Sequence, residues 1–426
     1  MPPETNGSHP VRSHYRWTIC GLLFFATTIN YVDRQILSLL KPILDEEMGW
    51  TSTQFGAINS AFQAAYGVSL FFFGWFIDKY GTKVGYAVSI GAWSLAAMAH
   101  ALVASVPGFF AARVALGLGE GGNFPAAVKA TAQWFPRRER ALAASLFNSG
   151  ANVGAILAPM AVPAIAYSLG WHWTFIFAGV AGFAWIALWW PLFEHPEKSH
   201  RVSAAELTHI QSDASSTGDE GGRVSWRILL RRREAWSFIV AKFLTDPVWW
   251  FFLIWLPDFF KKTRGLDIKS SWTLLVGIYS IITVLSIFGG WITGHLTGRG
   301  WSVTRARKTG MLVFAVCVMP IAFATRVGDW TAVVLIGVAG AAHQAWSANL
   351  YTTVSDIFPK RAVASLIGVG STAGSIGGMI LPLVTGVVLD RFENGYAVIF
   401  GFCSLAYVAA FFINHLLAPK FEPVAL

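Results

Sequence analysis

The chain has 426 residues, 54% of them hydrophobic and only 13% charged, with a mean hydropathy of +0.52. A soluble protein of this length needs far more charge to cover its surface, so the composition excludes a soluble fold and points to a polytopic membrane protein. The formal net charge of +9 invites a nucleic-acid partner, but the placement of the basic residues argues against one.

Apolar spans fall near 17–40, 55–77, 84–104, 109–131, 141–167, 173–193, 235–260, 272–296, 309–327, 330–352, 363–389 and 397–417. Each suffices for a hydrocarbon core of about 30 Å, which takes about 20 helical residues. The number is even, so both termini share a side. With that side cytoplasmic, most Lys and Arg fall in cytoplasmic segments. External loops hold Lys41, Lys261, Lys262, Arg264, Lys269, Arg326 and Arg391, while Arg34, Arg113, Lys129 and Lys242 lie within spans. This bias is the positive-inside rule, so the basic balance reports topology.

The expected organisation is a cytoplasmic tail at 1–16, a six-helix bundle at 17–194, a cytoplasmic linker at 195–234, a second bundle at 235–418 and a tail at 419–426. The tail at 1–16 is polar and the first apolar run is too long for a signal-peptide core, so no cleavage is expected. In the linker, "SAAEL" from Ser203 has the spacing of a helix-capping box, and "SWRILLRRR" (225–233) suits the inner membrane surface. Cys20, Cys317 and Cys403 lie in spans without metal-ligand spacing and read as small packing residues. No Walker loop, nucleophile constellation or metal site is expected, and no cofactor beyond protons.

The two halves repeat each other. A shift of 223 superposes Phe135 on Phe358, Pro136 on Pro359, Arg138 on Arg361, Gly154 on Gly377 and Pro159 on Pro382. Asn148 and Asn152 then fall on Ser371 and Ser375, an i, i+4 polar stripe on each helix. A second echo sets "GWFIDKYGTK" (74–83) against "GWITGHLTGRG" (290–300). Similar halves in one orientation mark a transporter whose site lies between them near the midplane.

"GWFIDKYGTK" resembles the signature loop of the major facilitator superfamily, and "RVALGLGEGGNFPAAVKATAQWFPRRERA" its fourth-helix motif. With "NYVDRQ" and "LTDPVWWFFLIWLPDFF" the chain is similar to the anion:cation symporter branch, most of all to bacterial hexuronate transporters. The resemblance implies an all-α fold of twelve transmembrane helices in two pseudo-symmetric six-helix bundles. It also implies a gating loop at Gly74, Asp78 and Gly81, one-sided here because Gly294 replaces the aspartate in the second half.

In the fourth span Arg113, Gly117 and Glu120 share one helical face, which must look into the bundle or a water-filled cavity. Seven residues rise about 10.5 Å, too far for a tight Arg113–Glu120 pair. Asp33 is the better expected partner for Arg113, because adjacent Arg34 points about 100° away. That leaves Glu120 without a fixed counter-charge, free to take up a proton, and Arg34 as a free guanidinium suited to a substrate carboxylate. A buried ion-pair network that only fixes packing is the competing reading. The resemblance implies that Asp33 and Glu120 are proton-linked and that Arg34 and Arg113 serve binding and coupling.

The second half carries no charge at the equivalent depth of its tenth helix. Its polar groups (Gln344, Asn349, Tyr351, Ser371, Thr372 and Ser375) suit hydroxyl recognition, with Tyr31, Tyr66, Asn148 and Asn152 opposite. Trp249 or Trp250 is the expected apolar wall for a sugar ring, and His343 reads as a hydrogen-bonded core histidine. The resulting expectation is a proton-coupled symporter importing a sugar acid, a hexuronate such as glucuronate or galacturonate, by alternating access. An aldonate or aldarate symporter and an efflux transporter of the same superfamily are the alternatives. The expected setting is a bacterial inner membrane, with both termini cytoplasmic, lipid as the surroundings and the monomer as the working unit.

Overall fold

A computed structural model describes residues 14–212 and 226–424; most of the expected N-terminal tail (1–13), the middle of the expected linker (213–225) and the last two residues of the expected C-terminal tail lie outside the described residues. The described residues are helical, with no strand. In chain order the helices are α1 (Tyr15–Met48), α2 (Ser52–Tyr80), α3 (Thr82–His100), α4 (Val106–Glu120), α5 (Asn123–Trp134), α6 (Arg137–Leu169) and α7 (Trp171–Leu192). Then follow α8 (Ala204–Gln211), α9 (Trp226–Leu229), α10 (Arg233–Arg264), α11 (Ile268–Gly298), α12 (Val303–Val318), α13 (Asp329–Ile357), α14 (Lys360–Arg391) and α15 (Gly395–Leu417). Among the described residues, nine helices are long and apolar enough to cross a membrane. The charged α1, the short α3 and the split α4–α5 complete the twelve spans read from sequence.

The split corrects the fourth span, expected as one helix over 109–131. The chain breaks at Gly121–Gly122, directly after Glu120. Carbonyls freed by the break need donors inside a membrane. Ser69 Oγ donates to the Leu118 carbonyl, and Ser89 Oγ donates to the Gly119 carbonyl at 2.6 Å. Lys41 is also corrected: it sits inside α1, 1% exposed, rather than in an external loop.

The repeat read from sequence makes equivalent helix crossings. A Cβ on Gly154 would lie 2.6 Å from the Thr28 carbonyl oxygen of α1, and one on Gly377 2.4 Å from the Phe243 carbonyl oxygen of α10. α6 therefore packs on α1 as α14 packs on α10. In the linker, Ser203 caps α8 as its spacing predicts, accepting from the Glu206 N–H at 3.2 Å. The Glu206 carboxylate meanwhile accepts from the Tyr15 and Arg16 N–H groups in the open first turn of α1, each at 3.1 Å.

The two groups of helices close on each other at the end away from the termini. Lys41 of α1 pairs with Asp258 of α10 at 2.7 Å, with both side chains 1% exposed. Asp390 of α14 accepts from the Ser52 and Thr53 N–H groups at the start of α2, at 3.0 and 2.7 Å. Phe55 packs edge-on against Trp255, within an apolar cluster that runs through both groups. A second cluster, including Ile19, Phe73, Tyr86 and Trp189, belongs to the first group alone. Toward the termini α2 and α14 part around a largely apolar cleft of about 580 Å³, walled by Val68, Phe71, Ile376 and Met379 with Gln63, Ser371 and Thr372 among them.

Candidate functional site

α1 carries Asn30 and, one turn on, the adjacent Asp33 and Arg34, all buried. Side chains on a helix lean toward its N-terminus, which carries the Arg34 guanidinium toward the terminal end of the antiparallel α4, where Glu120 stands. Arg34 Nε donates to Glu120 Oε2 at 2.6 Å. Four rings surround the same guanidinium: its carbon lies 4.5 Å from the centroid of Tyr66, 5.3 Å from Tyr31, 5.5 Å from Trp250 and 5.6 Å from Phe62. Its other two nitrogens make no hydrogen bond among the described residues, so half of the planar fork is open to a ligand.

This reverses the pairing expected from sequence. Glu120, expected without a counter-charge, holds Arg34. Asp33, expected to pair with Arg113, is 1% exposed with neither carboxylate oxygen hydrogen-bonded among the described residues. Arg113 instead donates to the Arg34 backbone carbonyl at 2.8 Å and to Asn59 Oδ1 at 3.4 Å, so it tethers the middle of α1 to α4. Gly117 makes room for a helix: a Cβ there would lie 2.5 Å from the Phe62 carbonyl oxygen of α2.

In the second half His343 is the hydrogen-bonded core histidine expected, but several other residues depart from expectation. Trp249 is 8% exposed and stacks on His343, and His343 Nδ1 meets the Tyr407 hydroxyl at 2.5 Å, so both are core residues. The wall beside Arg34 is Trp250. Asn349 faces α12 rather than a cavity, accepting from Arg307 Nη1 at 3.3 Å and donating to its carbonyl at 2.9 Å. The reason is angular: Asn349 lies two residues, about 200°, from Tyr351, which faces α10. Gln344 and Tyr351 lie on a partly exposed face of α13. Ser371 and Thr372 line the α2–α14 cleft, apart from the Arg34 box, and Thr372 donates to the Gly368 carbonyl at 3.0 Å. On α6, Asn148 is exposed and Asn152 half-buried, without hydrogen bonds among the described residues.

A charge pair the sequence reading passed over stands on α10. Lys242 Nζ pairs with Asp246 at 2.6 Å and donates to the Tyr351 hydroxyl at 3.0 Å. The i, i+4 spacing in "KFLTD" was the available signal. In the loop motif, Asp78 pairs with Lys129 of α5 at 2.7 Å, within the first group. Gly74 has open space around it and Gly81 holds φ +87° at the α2–α3 turn, a conformation that favours glycine.

A buried guanidinium and carboxylate between two repeated bundles are the parts of a transporter. Residues 23–382 match the sequence profile described as Major Facilitator Superfamily. The chain belongs to that superfamily. This facilitator is a membrane transporter rather than an enzyme. It is 29% identical over 385 residues to the hexuronate transporter of Escherichia coli (strain K12), covering 88% of each chain. It is 32% identical over 256 residues to the galacturonate transporter of Dickeya chrysanthemi, covering 60% of this chain and 74% of that one. Among solved structures, the D-xylose-proton symporter superposes on the facilitator with a TM-score of 0.73 at 15% identity, covering 96% of this chain and 98% of that one.

Proposed function

We propose that this facilitator imports a sugar acid with one carboxylate, a hexuronate such as glucuronate or galacturonate, together with protons across a bacterial inner membrane. The observation that carries the reading is the Arg34–Glu120 pair inside the aromatic box. One charged hydrogen bond, Arg34 Nε to Glu120 Oε2, holds the two groups together. A proton on Glu120 breaks this pair and frees Nε, so a substrate carboxylate then takes the whole guanidinium fork without competing with Glu120. Proton and anion then enter together. Asp33, buried beside them without a hydrogen bond, is the second proton-linked carboxylate. Tyr31, Tyr66 and Trp250 offer ring faces and hydroxyls to the sugar, and Arg113 keeps Arg34 in place through its carbonyl. The names of the relatives, hexuronate, galacturonate, D-galactonate and probable galactarate/D-glucarate transporters, support a sugar acid as the substrate class. With both termini cytoplasmic, the closure at Lys41 and Asp258 lies on the outward side.

Glu120→Gln tests the coupling. The variant mimics the protonated side chain permanently, so in proteoliposomes it should bind and exchange a radiolabelled uronate but fail to concentrate it under a pH gradient. Accumulation by the variant would remove Glu120 from coupling and pass the role to Asp33, tested as Asp33→Asn. If both variants accumulate substrate, proton symport is the wrong reading.

A further inference from the structure

The Lys242–Asp246 pair has no part in the chemistry at Arg34, yet it shares α10 with Trp250, the ring that packs on that guanidinium. Lys242, Asp246 and Trp250 follow at i, i+4 and i+8 on α10, and Trp250 lies against Arg34. Asp246 faces α14 at a glycine: a Cβ on Gly374 would lie 2.2 Å from Asp246 Oδ2, so the carboxylate fits because that helix has no side chain there. The pair is unequally exposed. The Lys242 side chain is 4% exposed, enclosed by Asp246 and by the Tyr351 ring at 4.5 Å, whereas the Asp246 side chain is 19% exposed. A part-exposed carboxylate at membrane depth faces water rather than lipid. A ligand in the cavity therefore meets the aspartate, with the ammonium shielded behind it.

The spacing suits one molecule reaching from Arg34. Asp246 lies about one turn, roughly 6 Å, along α10 from Trp250, and Lys242 about 12 Å. An extended six-carbon acid is about 6 Å long, from the ~3.5 Å that three backbone bonds span, and each hydrogen bond adds about 2.8 Å. Lying along α10 with its carboxylate on Arg34, such an acid is long enough to span the turn from Trp250 to Asp246.

We propose that Asp246 selects substrates by charge: it masks Lys242, making the far end of the site a neutral subsite that accepts hydroxyls, so acids with one carboxylate are taken and diacids refused. The proposal rests on Arg34 as the carboxylate anchor. A hydroxyl donates to Asp246 or accepts from Lys242. A second carboxylate meets like charge first and finds the lysine already paired. Removing the aspartate charge unmasks Lys242 and turns the subsite into a second carboxylate site.

Gluconate and glucarate share one open six-carbon chain and differ in a single terminal carboxylate, so their affinities for the purified full-length protein, measured by calorimetry with ring-closed glucuronate alongside, test this directly. The wild type should bind gluconate about tenfold or more tighter than glucarate, and Asp246→Asn should shift the ratio toward glucarate by at least about tenfold, the range of one charged hydrogen bond. Asp246→Ser carries the same expectation should the amide variant not fold. The double variant Lys242→Gln/Asp246→Asn, with no lysine to unmask, should gain no glucarate binding. Equal wild-type affinities, an unshifted ratio in both single variants, or the same glucarate gain in the double variant would each overturn the proposal. If uronate binds normally while the ratio stays put, the charge filter alone is wrong. If the wild type binds none of these acids, the sugar-acid reading falls and the filter with it.

Discussion

The far-end closure hangs on Lys41. It pairs with Asp258 at 2.7 Å and with Asp45 at 2.6 Å, and its ammonium lies 5.2 Å from the Phe55 ring. Lys41→Met keeps much of the side-chain volume and removes the charge, leaving Asp258, itself 1% exposed, without its closest cation. Removing one partner of a buried pair costs about 3–5 kcal/mol. Asp258 keeps a bond from the Tyr396 hydroxyl and a longer contact to Lys262 at 3.6 Å, which favours the low end of that range. An open far end hydrates Asp258, so only the closed state bears the loss. About 3 kcal/mol at about 1.4 kcal/mol per decade shifts the equilibrium toward the outward-open state by roughly a hundredfold. Ser38→Cys, in a background with Cys20, Cys317 and Cys403 replaced, is the reporter. Ser38 is 0% exposed and lies on α1 between Arg34 and Lys41, so a membrane-impermeant thiol reagent added outside reaches it only when the far end opens. Labelling should accelerate strongly in Lys41→Met and fall back when Asp258→Asn removes the stranded charge as well. An unchanged rate in the single variant would refute the role of this pair.

Arg34→Lys retains the charge but loses the planar fork, so uronate affinity in a binding assay should fall by about tenfold or more; near-normal affinity would remove Arg34 as the anchor. Asp78→Asn breaks a surface pair to Lys129 whose carboxylate side chain is 78% exposed, worth about 0–1 kcal/mol in the observed state. If Asp78 latches the terminal side shut in the opposite state, that state loses more, and the population should move further toward inward-open with substrate affinity intact. Cysteine labelling from both membrane faces checks it, and an unaltered pattern counts against the latch.

The sequence alone determined the spans, the repeat and the superfamily, because each is written in local pattern: hydrophobic length, basic bias and matched glycines and prolines at a constant shift. It also singled out the four charges of the N-terminal site, since ionisable residues inside a span are costly enough to stand out. Partnership was decided only by the tertiary structure. Helical periodicity gives the face of Arg34 but not which level of α4 lies opposite, and the antiparallel stagger with the lean of the side chain chose Glu120 over Arg113. The same limit hid the places of Trp250 and Asn349, separated from Trp249 and Tyr351 by one or two residues and so by a different facing helix. Lys242 and Asp246 were legible as an i, i+4 pair, but which of the two meets the cavity depends on Tyr351 and Gly374, about 110 and 130 residues away in the chain, closing around them. Local spacing orients a side chain on its own helix; which group it meets is decided by the packing of the others.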